Sequence, residues 1–236
     1  MMMTRSYFAL LMAVVVLAGC DSGIAPDIDA PQLSTMPEAI QRPIIFDDMR
    51  RQLSLQYLRE RYGMEQQEPV ITPKMVVVHW TVIPTAEETF DAFNPAQLPS
   101  VRQDVMSAGA LNVSSQYLVD RDGTIYQLLP ETTLARHVIG LNYCAIGIEN
   151  VGDGENLPLT DEQLESNIKI IRYLHNKYGI EYLIGHYEYS DFDGHLLWKE
   201  KDSAYRTEKT DPGVGFMDRL RTRVSDLKLS GSPAAR

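Results

Sequence analysis

The sequence has little cysteine, no excess of positive charge and no internal repeat. Of its 236 residues only Cys20 and Cys144 are cysteines, and the formal net charge is −10 at pH 7. An acidic balance argues against a nucleic-acid partner, which favours a basic patch or an excess of lysine and arginine. Beyond the N-terminus no apolar run is long enough to cross a membrane. The composition, 44% hydrophobic and 23% charged, is that of a globular protein with a sizeable core.

The N-terminus carries a signal for export. Arg5 precedes an apolar run over residues 7–16, which is too short for a membrane span and is typical of a signal-peptide core. The ending Leu-Ala-Gly-Cys resembles the bacterial lipoprotein box, in which cleavage leaves Cys20 as an acylated N-terminus. We therefore expect residues 1–19 to be a signal peptide and Cys20 to be the membrane anchor. The alternative is an ordinary signal peptide in which Cys20 has no special role.

Acylation of Cys20 would place the protein at the periplasmic face of a bacterial cell envelope. Asp21 resembles the inner-membrane retention signal of some Gram-negative lipoproteins, but the choice between inner and outer membrane stays open. With Cys20 acylated, Cys144 has no partner for a disulfide, and we expect it to be a small buried hydrophobic residue.

The rest of the chain divides into a tether, a domain and a tail. Proline spacing and the lack of any period predict a flexible tether over residues 20–45. The folded domain is expected over residues 46–228, and it opens with a helix over residues 47–62 that ends at Gly63. The last residues, 229–236, are small and polar and are predicted to be disordered.

Strand and helix patterns alternate along the domain. Apolar runs predict strands at residues 75–78, 145–149 and 182–184, and an Asp-Gly turn predicts a hairpin over residues 116–128. Two amphipathic helices are expected, one between a Thr160 cap and Gly179, the other over residues 215–227. Such alternation indicates an α/β fold, with a mixed central β-sheet flanked by helices.

Three metal-competent side chains follow apolar strands or precede a helix. His79 ends the first central strand, His186 ends the strand after the long helix, and Asp211 shortly precedes the last helix. Two imidazoles and one carboxylate suit zinc, and three protein ligands leave a fourth tetrahedral position open for catalysis. Each residue has a plainer interpretation, because histidines at strand ends are often hydrogen-bonded core residues and Asp-Pro-Gly is an ordinary turn.

A resemblance to a known family decides between these interpretations. Five segments resemble, in order, motifs of the N-acetylmuramoyl-L-alanine amidase family, which includes peptidoglycan recognition proteins, phage-type amidases and bacterial anhydromuramoyl amidases. They are Val-Val-Val-His-Trp-Thr at residues 76–81, Ala-Arg-His-Val at 135–138, Ile-Gly-Ile-Glu at 146–149, Leu-Ile-Gly-His at 183–186 and Lys-Thr-Asp-Pro-Gly-Val-Gly-Phe at 209–216. The resemblance implies the mixed sheet of the amidase and recognition-protein fold, with a zinc ion (Zn2+) in a groove.

The resemblance also implies roles for single residues. By position His79, His186 and Asp211 match the zinc ligands. Glu149 matches the acidic residue that activates the zinc water, and Lys209 matches the lysine that stabilises the oxyanion. Without the family order, Glu149 would be read as a strand-edge carboxylate and Lys209 as a solvated loop charge.

Substrate binding and departures from the family pattern concern other positions. His137 matches a position lining the substrate groove, and Arg136, which we also assign to substrate binding, stands where many relatives carry tryptophan. Ser115 falls where phage-type members have a tyrosine, which favours Glu149 as the base. Residues 188–208 form an insertion with several aromatics, which we expect to pack down onto the domain.

The leading hypothesis is a lipid-anchored zinc amidase that acts on peptidoglycan or muropeptide fragments. It would cleave the amide between N-acetylmuramic acid and L-alanine, and we expect it to be a monomer with no nucleic-acid partner. One alternative is a peptidoglycan-binding module without catalysis, against which the intact ligand set argues. The other is a zinc peptidase that acts within the stem peptide, since the same metal chemistry attacks any amide.

Overall fold

A mixed β-sheet of six strands forms the centre of the fold in the computed structural model, which describes residues 35–99 and 109–233. The strands are β1 (Ile40–Gln41), β2 (Met75–Trp80), β3 (Tyr117–Val119), β4 (Ile125–Gln127), β5 (Ala145–Asn150) and β6 (Tyr182–Gly185). Their order across the sheet is β1-β4-β3-β5-β2-β6. Strands β3 and β4 form the predicted antiparallel hairpin, whereas the other described pairs are parallel. The predicted fold class is confirmed.

The central strands β2 and β5 carry the sheet's most buried residues. Met75, the three valines that follow it and the first four residues of β5 are essentially inaccessible to solvent. Such continuous apolar runs are typical of strands covered on both faces. Because β5, β2 and β6 are parallel neighbours, their carboxyl ends lie at one edge of the sheet, where polar side chains can be fixed by a rigid frame.

Helices cover the sheet on both sides. They are α1 (Asp48–Tyr57), which continues as a π-helical turn over Leu58–Tyr62, α2 (Ala86–Phe93), α3 (Asp161–Tyr178) and α4 (Val214–Arg223). Short 3₁₀ helices follow β6 (His186–Phe192) and α4 (Ser225–Leu227). Helix α2 is absent from the elements that the sequence pattern predicts, whereas the other three α-helices occur where the pattern places them.

The helix ends are set by local sequence signals. Asp47 caps α1, and Gly63 ends its π-helical extension in the left-handed conformation. Helix α3 begins with a capping box in which Thr160 and Gln163 each satisfy the other's backbone N–H, and it ends at left-handed Gly179. Such caps satisfy backbone groups that have no partner within the helix.

The predicted tether over residues 20–45 is too long at its C-terminal end. Residues 40 and 41 form β1, which pairs with β4 at the edge of the sheet, and the side chain of Ile44 is buried. The N–H of Ile44 also donates to the carbonyl oxygen of Leu128, which prolongs the edge contact. Backbone pairing and one buried aliphatic side chain therefore hold this segment against the domain.

The predicted disorder of residues 229–236 is likewise wrong for the part that the structure describes. Leu229 packs against the core, and Ser230 both donates to Glu181 and accepts from Leu183 through backbone atoms. The hydroxyl of Ser232 donates to Asp191. These contacts extend the outer edge of β6. Residues 234–236 lie outside the described residues.

The predicted signal peptide over residues 1–19 and the predicted lipidation site Cys20 lie outside the described residues. Within residues 35–99 and 109–233, no helix combines the length and hydropathy needed to cross a membrane. Cys144 is a free, buried cysteine beside β5, as expected, and burial raises the pKa of its thiol to about 12. A thiol with so high a pKa is not reactive at neutral pH.

Candidate functional site

His79, His186 and Asp211 converge at the carboxyl edge of the sheet. The Nδ1 atoms of the two histidines lie 3.0 Å apart, and the Oδ2 atom of Asp211 lies 3.1 Å from His79 Nδ1 and 3.0 Å from His186 Nδ1. All three side chains are buried. Three elements supply them: β2, the 3₁₀ helix after β6 and the loop before α4. The predicted ligand set therefore forms one compact triangle of donor atoms.

The electrostatics of the triangle favour the protonation states that a cation needs. Burial, together with the neighbouring His79, lowers the pKa of His186 to about 4. For Asp211 burial alone would raise the pKa, but the adjacent imidazoles of His186 and His79 outweigh it and hold the pKa well below its usual value. At neutral pH the imidazole of His186 is neutral and Asp211 is an anion. These are the states in which such side chains ligate metals.

The donor set fits zinc. Two imidazole nitrogens and one carboxylate oxygen form a usual catalytic zinc triad, whereas a structural site would close with a fourth ligand that is commonly cysteine. Cys144 lies beside the opposite end of β5 and does not take part. Among the described residues, no other group of histidine, cysteine or acidic side chains converges in this way.

His137 stands behind His79. The Nε2 atom of His79 lies 3.0 Å from His137 Nδ1, and His137 Nε2 lies 3.3 Å from the carbonyl oxygen of Ala145. A carbonyl can only accept, so His137 Nε2 carries the proton and His137 Nδ1 accepts from His79 Nε2–H. This assignment leaves the lone pair of His79 Nδ1 pointing into the triangle, as ligation requires.

The sequence does not predict this relay. His137 was assigned to substrate binding, and it does line the cleft beside the triangle. Its ring also packs against Gly147, where a Cβ atom would lie 2.9 Å from the imidazole. Burial and the nearby His79 hold the pKa of His137 well below its ordinary value, which keeps the ring neutral. The contacts indicate a positioning role, and substrate contact stays a prediction.

Glu149 and Lys209 line the same cleft. Glu149 lies directly opposite His79 in the register of β5 and β2, so the two side chains share one face of the sheet. Lys209 is half-buried and stands two residues before Asp211. The arrangement brings a carboxylate and an ammonium group to one concave surface that His186 and Asp211 also line.

Arg136 is built into the wall of the cleft. Its guanidinium donates to the carbonyl oxygens of Gly109 and Leu111 and to the hydroxyl of Tyr205, and it lies over the ring of Tyr57. With 4% of its surface exposed, it offers little area to a ligand. These contacts explain Arg136 as a positioning residue that joins α1 to the 188–208 insertion, while the predicted role in substrate binding stays untested.

The insertion forms one side of the cleft. Tyr205 and Thr207 line the cleft, and Tyr189, whose ring contacts that of His186, exchanges hydrogen bonds with the backbone of Thr207. The predicted packing is confirmed for Trp198, which lies against Gly140 and stacks on Tyr189. It is wrong for Leu196, which is 78% exposed.

Ser115, which the family comparison singles out, and His175 have structural roles. Ser115 is buried, and its hydroxyl donates to the carbonyl oxygen of Tyr117, so it is occupied within its own loop. The Nδ1 atom of His175 lies 3.1 Å from the carbonyl oxygen of Ile180 at the end of α3. The sequence gives no sign of Tyr57 as a cleft residue, since its place depends on how α1 packs.

Comparisons with known proteins identify a family and a fold for the chain. The family model for N-acetylmuramoyl-L-alanine amidase matches residues 66–214. No curated protein matches the chain. Among solved structures, a selenomethionine AmpD derivative is 22% identical, with a TM-score of 0.50, over 81% of this chain and 97% of that chain. At this identity the likeness shows the fold alone.

Two further solved structures have the same general likeness. The endolysin N-acetylmuramoyl-L-alanine amidase LysCS from Clostridium intestinale is 20% identical over 84% of this chain and 99% of that chain, with a TM-score of 0.48. Human PGRP-IBETAC, solved with a glycosamyl muramyl pentapeptide, is 18% identical over 65% of this chain and 86% of that chain, with a TM-score of 0.46.

Proposed function

The chain belongs to the N-acetylmuramoyl-L-alanine amidase family, and on this premise we propose that it is a zinc-dependent amidase that releases stem peptides from peptidoglycan or muropeptides. The bond cleaved is the amide between the lactyl group of N-acetylmuramic acid and L-alanine. The observation that carries the proposal is the triangle of His79, His186 and Asp211, whose three donor atoms lie 3.0 to 3.1 Å apart, with His186 and Asp211 lining a cleft.

His79, His186 and Asp211 are the residues that would hold the zinc ion. Bound there, zinc supplies Lewis-acid chemistry, polarising a carbonyl oxygen and acidifying water. The chain's own contribution is to fix the donor atoms and to keep His186 and Asp211 unprotonated. Burial keeps His186 neutral, and the contact with His137 orients His79. Such outer contacts raise ligand basicity and fix the ring.

Glu149 and Lys209 have different proposed roles, proton transfer for Glu149 and stabilisation of negative charge for Lys209. We assign Glu149 as the general base that takes a proton from the attacking water and later passes it to the leaving amine of L-alanine. We assign the Lys209 ammonium group to the negative charge that develops on the carbonyl oxygen in the transition state. Both side chains line the cleft that His186 and Asp211 also line. In a cleft walled by protein the effective dielectric constant is lower than in bulk water, which strengthens the interactions of both charged groups with the substrate.

The location of the enzyme is a separate part of the proposal. Acylated Cys20, followed by the tether, would hold the domain at the periplasmic face of the cell envelope, within reach of peptidoglycan. The domain would act there as a monomer. Incorporation of labelled palmitate into the full chain and into a Cys20→Ala variant tests the anchor, and equal incorporation would contradict it.

Mass spectrometry of digested muropeptides tests the reaction. We expect intact stem peptides that begin with L-alanine, together with peptide-free muramic acid, and no product from chelator-treated enzyme. Peptides shortened within the stem would indicate a peptidase, and binding without any product would indicate a recognition module. Glu149→Gln is the matched variant: it should retain zinc and lose most turnover. Loss of zinc from that variant would instead make Glu149 a ligand.

A further inference from the structure

Val82 adopts a backbone conformation that its side chain disfavours. Its φ is 58°, in the left-handed region. A branched Cβ collides with the backbone there, so β-branched residues in this region are outliers that persist only where the surroundings impose them. Glycine or asparagine would take the same conformation at lower cost.

Hydrogen bonds fix the chain around Val82. The N–H groups of Thr81 and Val82 donate to the carbonyl oxygens of Asn150 and Gly152, both at 2.9 Å. The hydroxyl of Thr81 donates at 2.6 Å to the carbonyl oxygen of Ile83. The turn is therefore held against the end of β5 and the residues that follow it, and Val82 lies only three residues beyond the proposed ligand His79.

The side chain of Val82 does not serve the core. It is 68% exposed, the second most exposed of the large hydrophobic side chains in the described residues, and it lines the cleft that contains His186, Glu149 and Asp211. A turn that needed only this backbone shape would gain nothing from an exposed isopropyl group. The side chain is presented to whatever enters the cleft.

We propose that Val82 is a specificity-determining residue that contacts a methyl group beside the scissile amide. This inference rests on the proposed function, because the amide of N-acetylmuramoyl-L-alanine is flanked by two methyl groups, one on the lactyl carbon and one on alanine. The strained turn fixes the isopropyl group beside the reacting carbonyl, where it excludes water from one of these methyls. The contact between the isopropyl group and the substrate methyl is apolar, so it requires no further charged side chain in the cleft.

Substrates that lack one methyl test the proposal. We would measure kcat/KM for a muramoyl-L-alanyl peptide, for its muramoyl-glycyl analogue and for an analogue with a glycolyl group in place of lactyl. Wild type, Val82→Ala, Val82→Gly and Val70→Ala would be compared. Val70 is the matched control because it is also exposed, at 51%, and does not line the cleft.

The kcat/KM of wild type should be about 3- to 10-fold higher for the fully methylated substrate than for at least one analogue. This ratio is smaller than the roughly 10- to 200-fold that a closed apolar pocket gives for one methylene group. Val82→Ala and Val82→Gly should reduce this preference below about twofold through KM, as expected for lost substrate contact. Val70→Ala should keep it. Val82→Gly should melt no lower than wild type, because it relieves the left-handed strain.

An unchanged methyl preference in Val82→Ala would overturn the proposal, as would a wild type without any preference. Failure of the proposed function looks different: wild type would then release no peptide from any substrate. In that case calorimetry would give dissociation constants for the same three compounds. A preference for the fully methylated compound that is lost in the Val82 variants would support the role of Val82, and an unchanged preference would overturn it.

Discussion

At the scale of single residues, the site depends on imidazole orientation. His79 can present its Nδ1 lone pair to the triangle only if its Nε2 carries the proton. His137 Nδ1 accepts a hydrogen bond from that Nε2–H, and His137 is itself fixed by its contact with the carbonyl oxygen of Ala145. An imidazole that can rotate or change tautomer would lose part of its metal affinity to reorganisation. The contact with His137 would therefore support ligation of a metal by His79 without itself reaching the triangle of donor atoms.

Replacing His137 should weaken zinc binding without abolishing it. We expect His137→Ala to lower zinc affinity by about 10- to 100-fold, the usual effect of losing such an outer partner. Competition with a fluorescent chelator measures this directly. His175→Ala is the matched control, because His175 contacts a backbone carbonyl at the end of α3 and lies outside the cleft. Equal zinc affinities for the two variants would contradict the role of His137.

The sequence predicts some of these residues and not others, for a physical reason. His79, His186 and Asp211 follow or precede regular elements and lie in recognisable motifs, so their convergence could be expected. The relay to His137 and the place of Arg136 between Tyr57 and Tyr205 depend on tertiary packing. No spacing along the chain encodes such contacts.

At the scale of elements, local signals account for most of the helices and strands. The valine run of β2, the Asp-Gly turn of the hairpin and the capping box of α3 were each sufficient to place their element. Helix α2 also carries a signal, since Thr85 accepts from the N–H of Glu88 and its hydroxyl donates to the Glu88 carboxylate. Strand β1 carries none: it is two residues long, exposed and ordered only by its partner β4.

The capping box of α3 makes a stability prediction. Thr160→Ala should lower the free energy of unfolding by about 1 kcal/mol, because the Gln163 N–H loses its acceptor. The same change also removes the hydrogen bond to the carbonyl oxygen of Arg121 in the hairpin turn. Thr222→Ala, at an exposed position in the last turn of α4, should cost little or stabilise slightly. Urea denaturation compares the two, and equal losses would rule out a special role for the cap.

At the scale of the whole molecule, buried histidine makes stability depend on pH. The pKa of His186 is lowered from 6.5 to about 4 in the folded chain, chiefly by burial. Between these values the unfolded chain binds a proton that the folded chain excludes. The contribution of His186 to the free energy of unfolding of the metal-free protein is therefore fully present above pH 6.5. It decreases as the pH falls towards 4, by about 3 kcal/mol.

Chemical denaturation of chelator-treated protein at pH 7 and pH 5 measures this dependence. The variant His186→Gln should have a smaller loss over the same interval, because it has no imidazole to protonate. His137, whose pKa is also lowered, contributes in the same direction and is retained in that variant. An identical loss in wild type and variant would show that His186 is not held neutral by burial.

The packing of the 188–208 insertion depends on the whole domain and not on its sequence alone. Its apolar residues could face a substrate or the protein, and only the three-dimensional arrangement separates them. Trp198 fills space against Gly140 and Tyr189, Tyr205 contacts Arg136, and Leu196 stays in solvent. The insertion thus supports the cleft wall through two anchored aromatics.

Zinc-edge anomalous diffraction from crystals of the zinc-loaded enzyme addresses the metal centre most directly. We expect one strong anomalous peak in data collected above the zinc absorption edge and none in data collected below it. The peak should lie about 2.0 to 2.2 Å from His79 Nδ1, His186 Nδ1 and Asp211 Oδ2. The fourth tetrahedral position should hold only solvent. No peak at the triangle, or a fourth protein atom completing the coordination, would contradict a catalytic zinc amidase.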